Sequence, residues 1–151
     1  MSKKSAKIAA LIESCRGGGL DAHYLGYFLC FNQGLFYEAH DVLEELWLAQ
    51  RGAENDAFYK GLIQLAGAFV HLQKHSLIRP RLKPAGALLR LARGYLSRYP
   101  AVHEHLDLNR VLALIEDWLG RLEAGAFEIN PLMGASHPQL TAPFLASQES
   151  C

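Results

Sequence analysis

Residues 57–75 read AFYKGLIQLAGAFVHLQKH, and this stretch decides the fold. Phe58, Leu62, Ile63, Leu65, Ala66, Phe69, Val70 and Leu72 recur three and four apart, which is the period of an α-helix and not the alternation of a strand. So broad an apolar set marks a helix buried on most of its sides. Asn55 or Asp56 is placed to cap its start. Upstream, residues 35–50 repeat the period with Phe36, Leu43, Leu46 and Trp47, and Arg51-Gly52-Ala53-Glu54-Asn55 makes the turn between the two. Further back, Asp21 can cap a helix that carries Tyr24, Phe28 and Phe31 and is broken by Asn32-Gln33-Gly34. An amphipathic segment at residues 5–15 ends in Arg16-Gly17-Gly18-Gly19, too flexible to continue a helix.

Downstream, Pro80 and Pro84 bracket a linker, and Pro84 suits the first turn of a helix that runs to Arg98. Tyr99-Pro100 ends it, because a residue before proline is pushed away from α geometry. Residues 108–124 carry Val111, Leu112, Ile115, Trp118 and Leu122, with Gly125 as a stop signal. After Phe127 the tail holds three prolines and few charges, and is expected to form an irregular strap or to fray. No segment reads as a convincing strand. The expected fold is all-α, a compact bundle of five to six helices in one domain. Residues 1–20 form an N-terminal helix and Gly-rich linker, 21–100 the core, 101–126 the C-terminal helix and 127–151 the irregular tail.

At 151 residues the chain has the length of one domain, and its fifteen basic and fifteen acidic side chains balance. A neutral total gives no global drive toward nucleic acid or anionic lipid, though local patches are compatible with it. Cys15, Cys30 and Cys151 are odd in number, far apart and outside any CxxC pair, which argues against a disulfide scaffold. The apolar run from Ile8 to Ile12 is too short for a signal-peptide core, and no run approaches a membrane span. A reducing cytoplasm is the expected compartment.

Two polar lines carry whatever chemistry the chain has. His40 and Glu44 are four apart and share one helical face with Phe36 and Trp47. Glu38, Asp41 and Glu45 fall on the wetter side. On residues 57–75 a second line runs Lys60, Gln64, Gly67, His71, where Gly67 and Gly61 would admit another backbone or a ligand. Two facing helices would bring His40, Glu44, Gln64 and His71 together in a buried cleft. Imidazole and carboxylate at this spacing suit a divalent metal (Zn, Mn or Fe) held by His40, Glu44 and His71, with a water in the open position for hydrolysis. Without metal, His40 and Glu44 make an acid–base pair. The plainer reading has these side chains satisfy one another and the Trp47 indole N–H across a helix interface. A single HxxxE is a weak pattern, and the set lacks the paired carboxylates of a di-iron bundle.

Between Ser76 and Tyr99 stand Arg79, Arg81, Lys83, Arg90, Arg93 and Arg98, with no acid among them. Arg79, Arg81 and Lys83 directly precede a helix start, where amides and the dipole attract anions. Little aromatic side chain interleaves the surface from Arg79 to Arg98, so nucleic acid is not the favoured partner. A solvated face, or a pairing surface for the acidic side of residues 35–50 in a homo-oligomer, fits better. No Walker loop, GxGxxG, GxSxG or HExxH is present. His103-Glu104-His105 reads as an incidental exposed loop.

The blocks at residues 21–25 and 31–47, including Phe31-Asn32, Gly34 and Tyr37-Glu38-Ala39-His40, resemble the domain of unknown function 309 family. So do Gly61-Leu62-Ile63-Gln64, His71 and Gly86-Ala87, and the resemblance extends over residues 21–100. It implies an all-helical fold of small bacterial and archaeal proteins, and no established activity. The family's polar signature maps onto His40, Glu44, Trp47, Gln64 and His71, with Glu38 beside them. After His71 the chain departs from the family: a short loop with Asn before Gly-Ala is replaced by a longer, basic, proline-containing insertion. The expected function is a non-enzymatic interaction module whose cleft (Glu38, His40, Glu44, Trp47, Lys60, Gln64, His71) is a structural network or ligand site. The alternative is a metal-dependent hydrolase-like protein using His40, Glu44 and His71.

Overall fold

The computed structural model describes residues 6–14, 16 and 19–143. Cys15, the Gly17-Gly18 pair, Cys151 and the tail from residue 144 on lie outside the described residues. Helix α1 spans Ala6–Ser14, α2 Ala22–Asn32, α3 Phe36–Ala49, α4 Asp56–Lys74, α5 Leu82–Leu96 and α6 Leu108–Ala124. Two helix starts follow from side-chain capping. The Asp21 carboxylate accepts from the His23 and Tyr24 amides, and Asp107 accepts from those of Asn109 and Arg110. Asn55 precedes α4 without capping it. Pro84 falls within the first turn of α5, where its missing N–H costs nothing.

Consecutive helices pack on one another, and their aromatic side chains meet in the middle. Phe69 of α4 stacks on Phe36 at 5.1 Å and meets Phe31 and Trp118 edge-on at 5.7 and 5.0 Å. These contacts tie α2, α3, α4 and α6 to one point. The fully buried Tyr27 hydroxyl donates to the Leu62 carbonyl at 2.6 Å. Burial first, and Tyr24 second, hold its phenol far above the ordinary range, so it remains a donor at any physiological pH. Among the described residues no charged side chain, His, Asn or Gln is fully buried. Cys30 sits in the core as a small hydrophobe.

The chain is not wholly without strands. β1 (Val102–His103) pairs antiparallel with β2 (Leu106–Asp107) across a two-residue turn. Glu104 and His105 occupy it with φ of 48° and 61°. Such turns favour Asn-Gly, so Glu-His offers no hairpin signal to a reader of the sequence. Tertiary bonds hold it instead. Tyr24 donates to the Glu104 carbonyl at 2.8 Å, Asn55 donates to the Glu104 carboxylate at 2.9 Å, and Asn55 Oδ1 lies 2.7 Å from His103 Nε2. The His103 ring packs on Phe58 and Tyr99. His103 and Glu104 are thus half-buried fastenings, not an exposed loop, and they occupy the side chain of Asn55 that would otherwise cap α4.

After α6 the chain runs on to residue 143 without helix or strand. Leu140 exchanges two hydrogen bonds with the Asn32 side chain, at 2.7 and 2.8 Å, and is itself buried. Asn130 donates to the Leu72 carbonyl at 2.7 Å, which fastens the strap to the last turns of α4.

Candidate binding face

Helices α3 and α4 run antiparallel, and contacts at both ends pin their register. Gln73 donates to the Gly34 carbonyl at 2.9 Å, Lys74 Nζ lies 5.3 Å from the Tyr37 ring, and Lys60 Nζ lies 6.0 Å from the Trp47 ring. Of the two polar lines, this brings Trp47 and Lys60 together, while no hydrogen bond among the described residues joins His40 or Glu44 to Gln64 or His71. Glu38, His40, Glu44, Trp47, Lys60, Gln64 and His71 are all half-buried. The expectation of a buried cleft is corrected by what fills α3's inner stripe. Phe36, Ala39, Val42, Leu43 and Leu46 occupy it, which leaves His40 and Glu44 at its margin. Gln64, Glu38 and Glu44 form no side-chain hydrogen bond among the described residues, so the polar residues do not close a network among themselves.

The indole of Trp47 finds a different partner from the one expected. Its Nε1–H donates to Asp56 Oδ1 at 2.7 Å, and the Gly52 amide donates to Oδ2 at the same distance. The Arg51 guanidinium lies 5.4 Å from the Trp47 ring. The Gly52 amide foremost, then the indole, then Lys60 and Arg51 hold the Asp56 carboxyl below the ordinary carboxylate range. A depressed folded pKa means stability that is complete above the ordinary value, about 4, and is lost as pH falls through the lower folded value. In Asp56→Asn the loss of melting temperature relative to the parent is therefore expected to be largest near neutral pH and to shrink below about pH 4. A loss constant from about pH 2 to pH 7 would contradict that assignment. Beside this cluster lies a shallow groove of about 440 Å³, lined by Gly52, Asp56, Lys60, Tyr95, Arg98 and Tyr99. Lys60 and Arg98 both approach the Tyr95 ring, at 5.2 and 5.1 Å.

At the other end of the face, Arg81 Nη1 lies 3.4 Å from His71 Nδ1, and the Arg81 amide donates to His75 Nδ1 at 3.0 Å. Arg81 Nε and His40 Nδ1 are buried atoms with no hydrogen-bond partner. Burial first, then Arg81 and Lys74, lower the pKa of His71, as expected for an imidazole in a positive field. Arg81 stands just before α5, whose first amides have no side-chain cap. Lys74, Arg79, Arg81 and Lys83 form no ion pair among the described residues. Arg90 and Arg93 do: they reach across to Glu123 and Glu116 of α6 at 3.6 and 2.6 Å. The run of six basic residues is thus interrupted in its middle, because α5 packs on α6, and its uncompensated charge gathers at the two ends.

His40, Glu44 and His71 do not assemble as a ligand set. Among the described residues no group of three or more His, Cys, Asp or Glu side chains is placed to hold a metal ion. Nor do the glycines of α4 open toward a ligand. A Cβ on Gly61 would stand 2.8 Å from Leu96 Cγ, and one on Gly67 would stand 3.2 Å from Leu88 Cδ1, so both serve the close approach of α5. Sequence reasoning missed Asp56 and Tyr95. The Asp56–Lys60 spacing of four was a signal for the first, whereas Tyr95 depends on how α5 crosses α4.

The fold and this face define a small helical bundle with a half-buried polar seam and a basic corner. The family described as Domain of unknown function (DUF309) matches residues 24–78, from α2 to the α4–α5 linker, which agrees with the resemblance of the YEAH and GLIQ blocks. The match stops within the proline-containing insertion, short of the 21–100 span that the resemblance implied. No curated protein and no solved structure matches the chain. No helix among the described residues is long and apolar enough to cross a membrane.

Proposed function

We propose that the outer face of α3, α4 and the α5 start is a non-enzymatic binding module whose His71–Arg81 corner receives an anionic group, a carboxylate or a phosphate, of a partner. The observation that carries this reading is the pair of orphaned buried nitrogens, Arg81 Nε and His40 Nδ1. A buried donor without a partner costs roughly 1–3 kcal/mol, and a bound anion removes that cost at the guanidinium. Arg81 offers two parallel N–H groups to such an anion, and the uncapped amides of α5 lie next to it. A second copy of the chain, whose α3 bears Glu38, Asp41 and Glu44 without ion pairs, is one partner with the right chemistry, which would make the protein a homo-oligomer.

Sulfate is a suitable probe because its charge does not change near neutral pH. Melting temperature is expected to rise with sulfate beyond the rise in chloride of equal ionic strength. The stabilisation should be about 1.4 kcal/mol at tenfold excess over the dissociation constant. Arg81→Ala should abolish this. A bound anion favours protonated His71, whose folded pKa is depressed, so affinity should increase as pH falls below about 6.5, and His71→Ala should flatten that dependence. An equal response to chloride, or an unchanged response in Arg81→Ala, would remove the basis of the proposal.

A further inference from the structure

Leu77 and Ile78 are 96% and 92% exposed, at the tip of the linker between α4 and α5. The tip is a built turn, not loose chain: the Ser76 amide donates to the Arg79 carbonyl at 3.2 Å and the Arg79 amide donates to Ser76 Oγ at 3.0 Å. Other exposed apolar side chains collect at the same end of the bundle. The strap that fastens to Leu72 through Asn130 carries Ile129 and Met133, 68% and 79% exposed. Tyr37, 49% exposed, lies beside Lys74 at the end of α4. Around this apolar end stand Lys74, Arg79, Arg81 and Lys83, none of them ion-paired among the described residues. The acids nearest these side chains along the chain are Glu38 and Asp41, one and four residues from Tyr37, and Glu128 beside Ile129.

Large apolar side chains held out on a convex turn inside a cationic collar match the chemistry of an anionic lipid surface. The bilayer interface accepts aliphatic and tyrosine side chains at the acyl boundary, while Lys and Arg meet the phosphates. A symmetric contact with the tip on its two-fold axis fits less well, since it would bring two identical basic collars together. We therefore infer that this end of the bundle docks on membranes bearing anionic lipid, with Leu77 and Ile78 inserted and Arg79 and Lys83 on headgroup phosphates. No spanning helix is needed for such attachment. The collar shares Arg81 with the His71–Arg81 corner, but Leu77, Ile78, Arg79 and Lys83 make no part of that corner, so either reading can fail alone.

The test is co-sedimentation of the full chain with sucrose-loaded phosphatidylcholine vesicles, with and without about 30 mol% phosphatidylglycerol. The parent protein is expected to pellet with the anionic vesicles only, and less so at high salt. Leu77→Ser/Ile78→Ser should weaken partitioning at least about tenfold, since two inserted aliphatic side chains are lost. Arg79→Ala/Lys83→Ala should weaken it as well. Both pairs are at exposed positions, so circular dichroism should be unchanged, and the serine variant should keep its sulfate response. A parent protein that stays in the supernatant, or a serine variant that binds like the parent, overturns the inference. So does a multimer in sedimentation velocity that the serine changes dissociate in the absence of vesicle binding, because the tip would then serve a second copy.

Discussion

Phe69→Ala is expected to lower the unfolding free energy by about 3–5 kcal/mol, a large share of the roughly 5–15 kcal/mol that holds a domain together. Phe69 is fully buried and is in contact with Phe31, Phe36 and Trp118 together. Its removal takes away the transfer energy of the ring and leaves a cavity whose walls belong to four helices. Those walls cannot all move inward at once, so the cavity term stays close to its full size. Urea denaturation should show the midpoint falling with little change in slope. A loss below about 1.5 kcal/mol would mean that α2 and α6 are not organised around this ring.

Gly61→Val is expected to cost about 1–3 kcal/mol through overpacking. The new Cβ would stand 2.8 and 2.9 Å from Leu96 Cγ and Cδ2 and 3.2 Å from Tyr95 Cβ. Leu96 is fully buried and has nowhere to withdraw, and Tyr95 Cβ moves only with the backbone of α5. Gly67→Ala is the informative contrast. Its Cβ meets only Leu88 Cδ1, the far end of a half-buried side chain, at 3.2 Å. Alanine also gains about 1 kcal/mol of helix propensity over glycine, so the change should be near neutral or mildly stabilising. Chemical denaturation of the two variants checks both statements. If both keep the parent's stability and lose the sulfate response instead, the glycines border the binding site and not the α4–α5 contact.

The two substitutions also mark how far the sequence could be read. Phe69 was legible as core because it recurs at helical period with Leu62, Leu65, Ala66 and Leu72, and burial follows that period within a single helix. The start of α2 at Asp21, the extent of α6 from Leu108 to Ala124 and the stop at Gly125 were legible for the same local reason. The roles of Gly61 and Gly67 were not, because a glycine makes room equally for a ligand and for a helix. The hairpin at Val102 to Asp107 carries no local signal, since its Glu-His turn is held by Tyr24 and Asn55, some eighty and fifty residues away in the chain.

The candidate face divides along the same line. His40, Glu44, Trp47, Lys60, Gln64 and His71 were picked out by spacing, and all six are half-buried. Their depth was misjudged because periodicity reports direction around one helix axis and says nothing of how far a neighbour covers that direction. Arg90 and Arg93 counted as part of a basic surface until α6 supplied Glu116 and Glu123.

By itself the sequence determined the helical class, the order and rough limits of the helices, and the side of each that turns inward. Those depend on local propensity, capping and the 3.6-residue period, all of which act within a dozen residues. Only the tertiary structure decided that Trp47 bonds to Asp56, that Arg81 meets His71, and that Leu77, Ile78, Ile129 and Met133 gather at one end. These pairings are set by interhelix register and crossing, which many distant contacts fix jointly and no single stretch of chain contains.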